Sequence, residues 1–390
     1  MQGNSTLTLT PSQPLTSGGV EYGFVGRAGN DTMDQGQNSW YIVNDYVDMP
    51  SNPGGEPIDG GAGKPADPAE PEGPGESEKP TQPQEPAKPI DKSGQYSPEV
   101  GAYLANHVLG NIMFELKYHD RQYLPEYEGV WMHAKASFGK YRTDLGSALE
   151  SKVDYYTIHL GKDLLDKQEY NAGVMIAYGY SDGNTKNHAR GFKADHSSHG
   201  FALGLYGTYN FDEHSYLDAW AQYVFMRNSI DYKDQNNKYN SRGIIASIEA
   251  GHAFDLSETL KLQPQAQITY MGVKADDYTD NRGTKVTTNR GNVQLRLGAR
   301  LFNERAWFDG QVTPYAEFNY IHNTKPFEVS LEKTNLTNAS VAGNKNLYQL
   351  ELGAKTELEN NWTISGGVSF TKGKDKYRDT RIKLDLRYEF

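Results

Sequence analysis

The sequence has no cysteine at all. That excludes a disulfide framework and any thiol chemistry. It also suits a chain that crosses an oxidising compartment unfolded, where early disulfides would lock it. Long apolar runs are missing too: none approaches the ~18 residues a membrane helix needs. The opening "MQGNSTLTLT" lacks a basic stretch followed by an apolar one, so no signal peptide is expected here, and an exported chain would be a fragment. A basic excess is absent. The net charge of −11 argues against nucleic acid as a partner. There is no HExxH, nucleophile elbow, P-loop or dinucleotide fingerprint. Low mean hydropathy alone would suggest a soluble β-rich adhesin. The 27 tyrosines point elsewhere, because Tyr favours positions half apolar and half wet.

Composition divides the chain. Residues 1–49 hold short β-like stretches, "TLTLT", "GGVEYGFVG" and "NSWYIVN". Residues 50–96 carry eleven prolines, from Pro50 to Pro89, spaced by Gly, Glu, Asp, Ala and Lys; this is an extended, solvated, acidic linker. Residues 97–121 predict an α-helix. Ser97 suits the N-cap, Pro98 the first helical position and Glu99 the positive helix start. Ala102, Leu104, Ala105, Val108, Ile112, Met113, Leu116 and Tyr118 recur at helical spacing, over about 20 residues.

Residues 129–390 alternate apolar and polar. In "NVQLRLGARL" Val293, Leu295, Leu297, Ala299 and Leu301 alternate with Asn292, Gln294, Arg296, Gly298 and Arg300. Twelve such segments are predicted: 129–141, 151–165, 170–183, 199–211, 216–230, 239–254, 260–273, 291–302, 312–322, 347–358, 361–373 and 381–390. Strands of a soluble sandwich average five or six residues. Runs of about ten fit a tilted strand crossing a bilayer, and open backbone in lipid must close into a barrel. The connections after even-numbered segments are mostly short, and those after odd-numbered ones mostly longer, as periplasmic turns and outer loops alternate. The expected fold is therefore all-β, a 12-stranded antiparallel transmembrane β-barrel with a lumenal α-helix.

The stretch "PEVGAYLANHVLGNIMFELKYHDR" resembles the linker-helix signature of the classical monomeric type V autotransporters. "SIEAGHAF", "LQPQAQITY" and "LRLGARLF" resemble their barrel strands, and "LTSGGVEYGFVGRAGN" with "NSWYIVN" resembles the end of a pertactin-like β-helix passenger. The resemblance implies a short β-solenoid remnant at 1–49, the linker at 50–96, a pore-plugging helix at 97–121 and a translocator barrel at 129–390. It implies an outer-membrane location in a Gram-negative bacterium, with export and anchoring of the chain's own passenger at the cell surface. Implied partners are membrane lipid, periplasmic chaperones and the barrel-assembly machinery. A monomer without cofactor or metal is expected, and not an enzyme. The alternatives are an outer-membrane barrel enzyme, protease or lipase, and a soluble β-rich adhesin.

Candidate site residues follow. Asn106, His107, Asn111, Glu115 and Lys117 give the helix a polarity that suits a wet lumen better than a dry core. Strand parity turns Asp218, Gln222, Glu249, Gln263, Gln265, Gln267, Arg296, Arg300, Glu317, Glu351 and Lys355 inward. Ile382, Leu384, Leu386, Tyr388 and Phe390 alternate with charged residues in the final "RIKLDLRYEF", read as an assembly signal with Phe390 in the inner aromatic girdle. His188, Asp195, His196 and His199 share one expected outer loop, which reads either as a set of metal ligands or as an ordinary mobile loop. Family members that cut their passenger at an Asn-Asn pair on the helix are not matched, since Asn236-Asn237 and Asn360-Asn361 lie elsewhere. An acid pair of Asp120 with Glu126 or Glu128 remains as a self-cleavage candidate, against a salt bridge to Arg121.

Overall fold

The computed structural model describes residues 15–17, 20–27, 39–43, 96–121, 128–146, 149–167, 169–289, 291–304, 312–332, 336–358 and 361–390. Twelve strands make one antiparallel sheet that closes on itself. They are β1 (Gly129–Arg142), β2 (Leu149–Asp166), β3 (Tyr170–Asn187), β4 (Phe192–Asn210), β5 (Ser215–Tyr232) and β6 (Gln235–His252). Then come β7 (Leu260–Met271), β8 (Asn292–Asn303), β9 (Val312–Asn323), β10 (Asn346–Leu358), β11 (Trp362–Lys372) and β12 (Arg378–Glu389). Each pairs with its successor, and β12 returns to β1 from Arg378↔Lys140 to Glu389↔Gly129. Alternate residues face opposite ways. On β5, Tyr216, Asp218, Trp220, Gln222 and Val224 are buried while Leu217, Tyr223 and Phe225 are exposed. The outward band of Leu203, Leu205, Ile248, Ile268, Leu297 and Leu352 is the apolar surface that lipid covers.

The helix α1 (Pro98–Ile112) is buried from Pro98 to Asn111 and packs against the inward faces of β2 to β6. Ser97 Oγ accepts from Glu99 N–H at 3.4 Å and caps it. The expected helix through residue 121 is too long. Wall side chains take over the carbonyls that would continue it: Gln222 Nε2 donates to Phe114 O at 2.9 Å, and Gln267 Nε2 and Trp220 Nε1 to Leu116 O at 2.9 and 3.2 Å. The backbone uncoils, then recovers one 3₁₀ turn, Tyr118–Arg121, where Lys117 N–H donates to Asp120 Oδ2 at 2.8 Å.

Three other expectations change. The connections after β3 and β5 are tight turns on strands that run well past their predicted ends, the second at Lys233 with φ 53°. The long connections after β7 and β9 are not plain loops. They build a sheet from Tyr278–Thr279, Lys285–Thr288, Glu328–Glu332 and Leu336–Ser340. Its Val286, Val329 and Leu331, with Phe327, join the buried cluster around Val100, Tyr103, Leu104 and Val108, so these connections fold inward onto the helix. Finally, Leu15–Ser17, Val20–Arg27 and Ser39–Val43 pair antiparallel, whereas a solenoid stacks its coils in parallel.

The filled lumen as the candidate functional site

Three tiers of polar contact hold the helix segment inside the barrel. The upper tier lies at the mouth, above the membrane-spanning part of the strands. Arg282 Nη1 donates to Glu99 Oε2 at 2.5 Å, Asn237 Nδ2 to Glu99 Oε1 at 3.5 Å, and Asn187 Nδ2 to Tyr96 O at 2.8 Å. Burial raises the Glu99 pKa from its ordinary 4.5 to about 7, outweighing the Arg282 guanidinium, while Asp280 pushes the same way as burial. The folded state therefore holds this proton more tightly than the unfolded chain. That contribution is full below pH 4.5 and is lost as the pH rises through about 7. Amide exchange in the first helical turn, corrected for its intrinsic pH dependence, should be slower under acid than under alkaline conditions. Glu99→Gln should flatten the difference. A wild-type profile that is already flat would mean Glu99 is ionised throughout.

The middle tier reads the wall backbone. Asn111 Nδ2 donates to Val273 O at 2.9 Å while its Oδ1 accepts from Val273 N–H at 3.0 Å, as a strand partner would. Ser198 Oγ donates to Asn106 Oδ1 at 3.1 Å, and Asn106 Nδ2 to Ser229 O at 3.5 Å. His107 Nε2 lies 2.9 Å from Asn289 Oδ1, with its ring edge-on to Phe327 at 5.8 Å. Below these, Phe114 and Met113 seat against Gly179 and Gly200. A methyl on Gly200 would stand 2.8 Å from the Phe114 ring, and one on Gly179 would stand within 3 Å of Met113 Sδ, so neither wall position has room for a side chain.

The floor is ionic. Lys117 Nζ bridges Glu317 at 2.7 Å and Glu351 at 2.6 Å. Lys383 Nζ bridges Glu351 and Asp120, both at 2.8 Å. Arg121 pairs with Asp218 and donates to Thr208 Oγ1 at 3.1 Å. Arg296 reaches Glu249, Gln265, Gln267 and Asn319 at 2.8–2.9 Å, and Arg300 lies 3.4 Å from Glu317 and 3.5 Å over the Tyr315 ring. Tyr118 N–H donates to Glu249 Oε2 at 3.1 Å, and His119 Nε2 meets Gln263 Oε1 at 2.7 Å. Charges buried in mutual contact over both partners are costly to separate, about 3–5 kcal/mol for removing one member. Glu115 borders a cavity of about 70 Å³ together with Lys135 and Arg381.

Of the inward-facing residues read by parity, Lys355 stands apart, half-buried and paired with Glu357 at 2.8 Å. The others are all buried. Missed were Lys383, Thr208 and Arg282, and Arg121 pairs with Asp218 rather than Asp120; the odd-numbered charged face of "RIKLDLRYEF" was the available signal for Lys383. Asp120 does not pair with Glu128. Asp120 is held by Lys383 rather than Arg121, Glu128 is exposed just ahead of β1, and Glu126 lies outside the described residues. The histidine group does not converge either. Asp195 and His199 sit on the outer face of β4, the first paired with Lys193 at 2.6 Å and the second bonded to Tyr178, while His196 is buried inside and His188 meets Glu150. Instead Asp120, His133 and Asp385 bring their ligand atoms within 4.8 Å of one another. There His133 Nδ1 binds Asp385 at 2.6 Å and the Lys383 ammonium occupies Asp120, which makes the set part of the ionic floor.

A closed twelve-stranded barrel with a lipid-facing exterior, filled by the segment that precedes it, defines the class of outer-membrane translocator barrels. The chain belongs to the autotransporter family: residues 130–369 match the Autotransporter beta-domain. It is 32% identical over 330 residues to the uncharacterised YdeU of Escherichia coli K12, covering 76% of this chain and 70% of that protein. It is 26% identical over 329 residues to the autotransporter adhesin AIDA-I of E. coli, covering 76% of this chain and 25% of that one. With the probable autotransporter YfaL of E. coli K12 it shares 29% over 397 residues, 99% of this chain and 29% of that protein. The match thus spans only about a quarter of AIDA-I and YfaL. The crystal structure of the AIDA-I transport unit superposes with a TM-score of 0.70 at 25% identity, covering 76% of this chain and all of that one. The NalP translocator domain of Neisseria meningitidis shares the fold, with a TM-score of 0.53 at 16% identity, over 68% and 89% of the two chains. The barrel is an outer-membrane protein and carries the family's role, export of its own passenger.

Proposed function

We propose that residues 97–121 are the trailing end of the exported chain, retained in the lumen to close it and to tether what lies outside. One observation carries this reading: the segment is buried from Ser97 to Asn111 and buried or half-buried on to Arg121, and its polar groups meet matching groups of the wall at the mouth, the middle and the floor. A segment in transit would have no fixed partners. Residues 50–96 then act as the spacer above the mouth, and residues 1–49 as the end of the surface passenger. The barrel works as a monomer, with β12 recognised by the assembly machinery after periplasmic chaperones deliver the chain. The Asp120 carboxylate is tied to the Lys383 ammonium, which argues against self-cleavage at that residue. The kinship with AIDA-I favours an adhesive passenger.

A protease that cannot cross membranes, applied to intact cells, tests the orientation. Cleavage should fall within 50–96 and leave a protected fragment beginning near Ser97. A chain that resists in intact cells yet is cut there after lysis would place the spacer in the periplasm and end this reading.

A further inference from the structure

The outer rim of the barrel carries an arrangement that sheet energetics disfavours. Lys372 on β11 lies directly opposite Arg378 on β12, Arg378 opposite Lys140 on β1, and Lys140 opposite Lys152 on β2. All four stand on the outward face, since Thr371, Asp379, Tyr141 and Ser151 beside them are buried inward. Like charges directly opposite one another destabilise a sheet. Here four stand in one unbroken line across four strands, and the central pair, Arg378 and Lys140, spans the seam where the last strand meets the first.

The protein's own carboxylates offset little of this. Glu150 lies 2.5 Å from Lys140, but it is shared with Arg142 at 3.5 Å and His188 at 3.3 Å. Asp154 stands one outward step below Lys152 on the same strand, in register with Asp182. The turn between β11 and β12 adds exposed Lys374 and Lys376 against a single Asp375.

Height identifies what balances the row. Two residues closer to the membrane on β11 and β1 are Phe370 and Phe138, both outward and exposed, and Tyr156 follows below Asp154 on β2. Aromatic residues at the ends of barrel strands mark the interface. At a rise of about 3.3 Å per residue, the cations lie within about 7 Å of that level along the strand, at the depth of the lipid headgroups. The long connections fall on this side, so the leaflet is the outer one. Guanidinium and ammonium groups set side by side match phosphate oxygens in both charge and geometry.

We propose that the outer ends of β11, β12, β1 and β2 bind the phosphate groups of a phosphorylated glycolipid of the outer leaflet, and that this lipid bridges the seam between the first and last strands. Its anionic groups turn four repelling cations into one site shared by both sides of the closure. The apolar faces below, Ile382 and Leu384 on β12 and Phe138 on β1, receive its acyl chains.

The test uses the full chain folded into neutral phosphatidylcholine vesicles, with and without bisphosphorylated lipid A. The reading is the temperature at which the compact band on a denaturing gel converts to the unfolded one. Lipid A should raise it for the wild type. In Lys152→Gln/Lys372→Gln/Arg378→Gln the rise should be lost, each protein compared with itself in neutral vesicles. A second variant, Lys162→Gln/Lys167→Gln, removes charge near the periplasmic rim and should keep the rise. An equal rise in the triple variant overturns the proposal. So does an equal rise with dephosphorylated lipid A. A full rise produced by pyrophosphate in the buffer would show that the row takes a soluble anion, and would also overturn it. Should the triple variant not fold, native mass spectrometry of the wild type decides: retention of the phosphorylated glycolipid over its dephosphorylated form supports the site, and equal retention overturns it.

Discussion

Deleting residues 97–121 opens a wide pore: single-channel conductance in planar bilayers should rise several-fold. A helix with its side chains is about 10–12 Å across, close to the whole lumen that twelve strands enclose. The uncoiled stretch and the 3₁₀ turn fill the floor beneath it, so among the described residues the segment occupies the lumen from mouth to floor. A finer variant probes the latch without removing the bolt. Lys117→Met leaves Glu317 and Glu351, buried side chains both, without the ammonium that joins them to the segment. Arg300 and Lys383 still face the two carboxylates, so the cost falls below the about 3–5 kcal/mol of an uncompensated buried charge. The outcome should be intermittent openings of the deletion-like conductance rather than a permanent one. If the deletion conducts no better than the wild type, the small sheet folded inward from the connections after β7 and β9 closes the mouth by itself, and the helix is structural filler.

The second large effect concerns β12. Tyr388→Ser with Phe390→Ser should remove most folded barrel from the outer-membrane fraction, with the chain degraded in the periplasm. A barrel strand at its edge can be recognised by strand addition, and the aromatics fix its register. Ile382, Leu384 and Phe390 are exposed on the lipid side, while Lys383, Asp385 and Arg387 bind Asp120, His133 and Asp163 inside. A slip of one residue would turn those charges to lipid, at up to about 2–4 kcal/mol each at mid-depth for Lys and Arg. Tyr388 packs on Trp362 at 5.0 Å and Phe390 on Tyr388 at 5.7 Å, and Phe390 N–H donates to Glu128 O at 3.0 Å. A polar tail added after Phe390 keeps these contacts and should do less harm. Wild-type levels of the double serine variant would leave the aromatics as anchors only, and recognition would belong to another strand.

The strands were legible where one face meets lipid. On β7 and β8 the apolar and polar faces contrast at every step, and the predicted bounds fall within two residues of the observed ones. The contrast fades above the membrane. In "NTKN" and "KADHSS" both faces are polar, although the backbone pairing continues from Thr185↔Ala194 to Asn187↔Phe192, so strand read as loop. The small sheet in the connections after β7 and β9 escaped because its pieces are too short to show a period. The end of α1 was illegible in principle from local sequence: the groups that unwind it, Trp220, Gln222 and Gln267, lie over a hundred positions away. Parity identified which wall residues face inward, but pairing depends on depth as well as face. Glu317 and Glu351 meet Lys117 only because the register sets them opposite each other on β9 and β10.

The placement of the three tiers also has a mechanical side. Drag on anything displayed outside enters the barrel at Tyr96 and runs along α1 toward β1. The Glu99 contacts at the mouth take the load first, then the helix, which can unzip one hydrogen bond at a time and lengthen. The Lys117, Asp120 and Arg121 bonds come last, spread over β5, β9, β10 and β12. Below them the load passes to β1, hydrogen-bonded along its whole length on both sides and therefore pulled in shear. Weak, stepwise elements thus sit in series ahead of strong, parallel ones. The anchor yields by stretching before it yields by letting go.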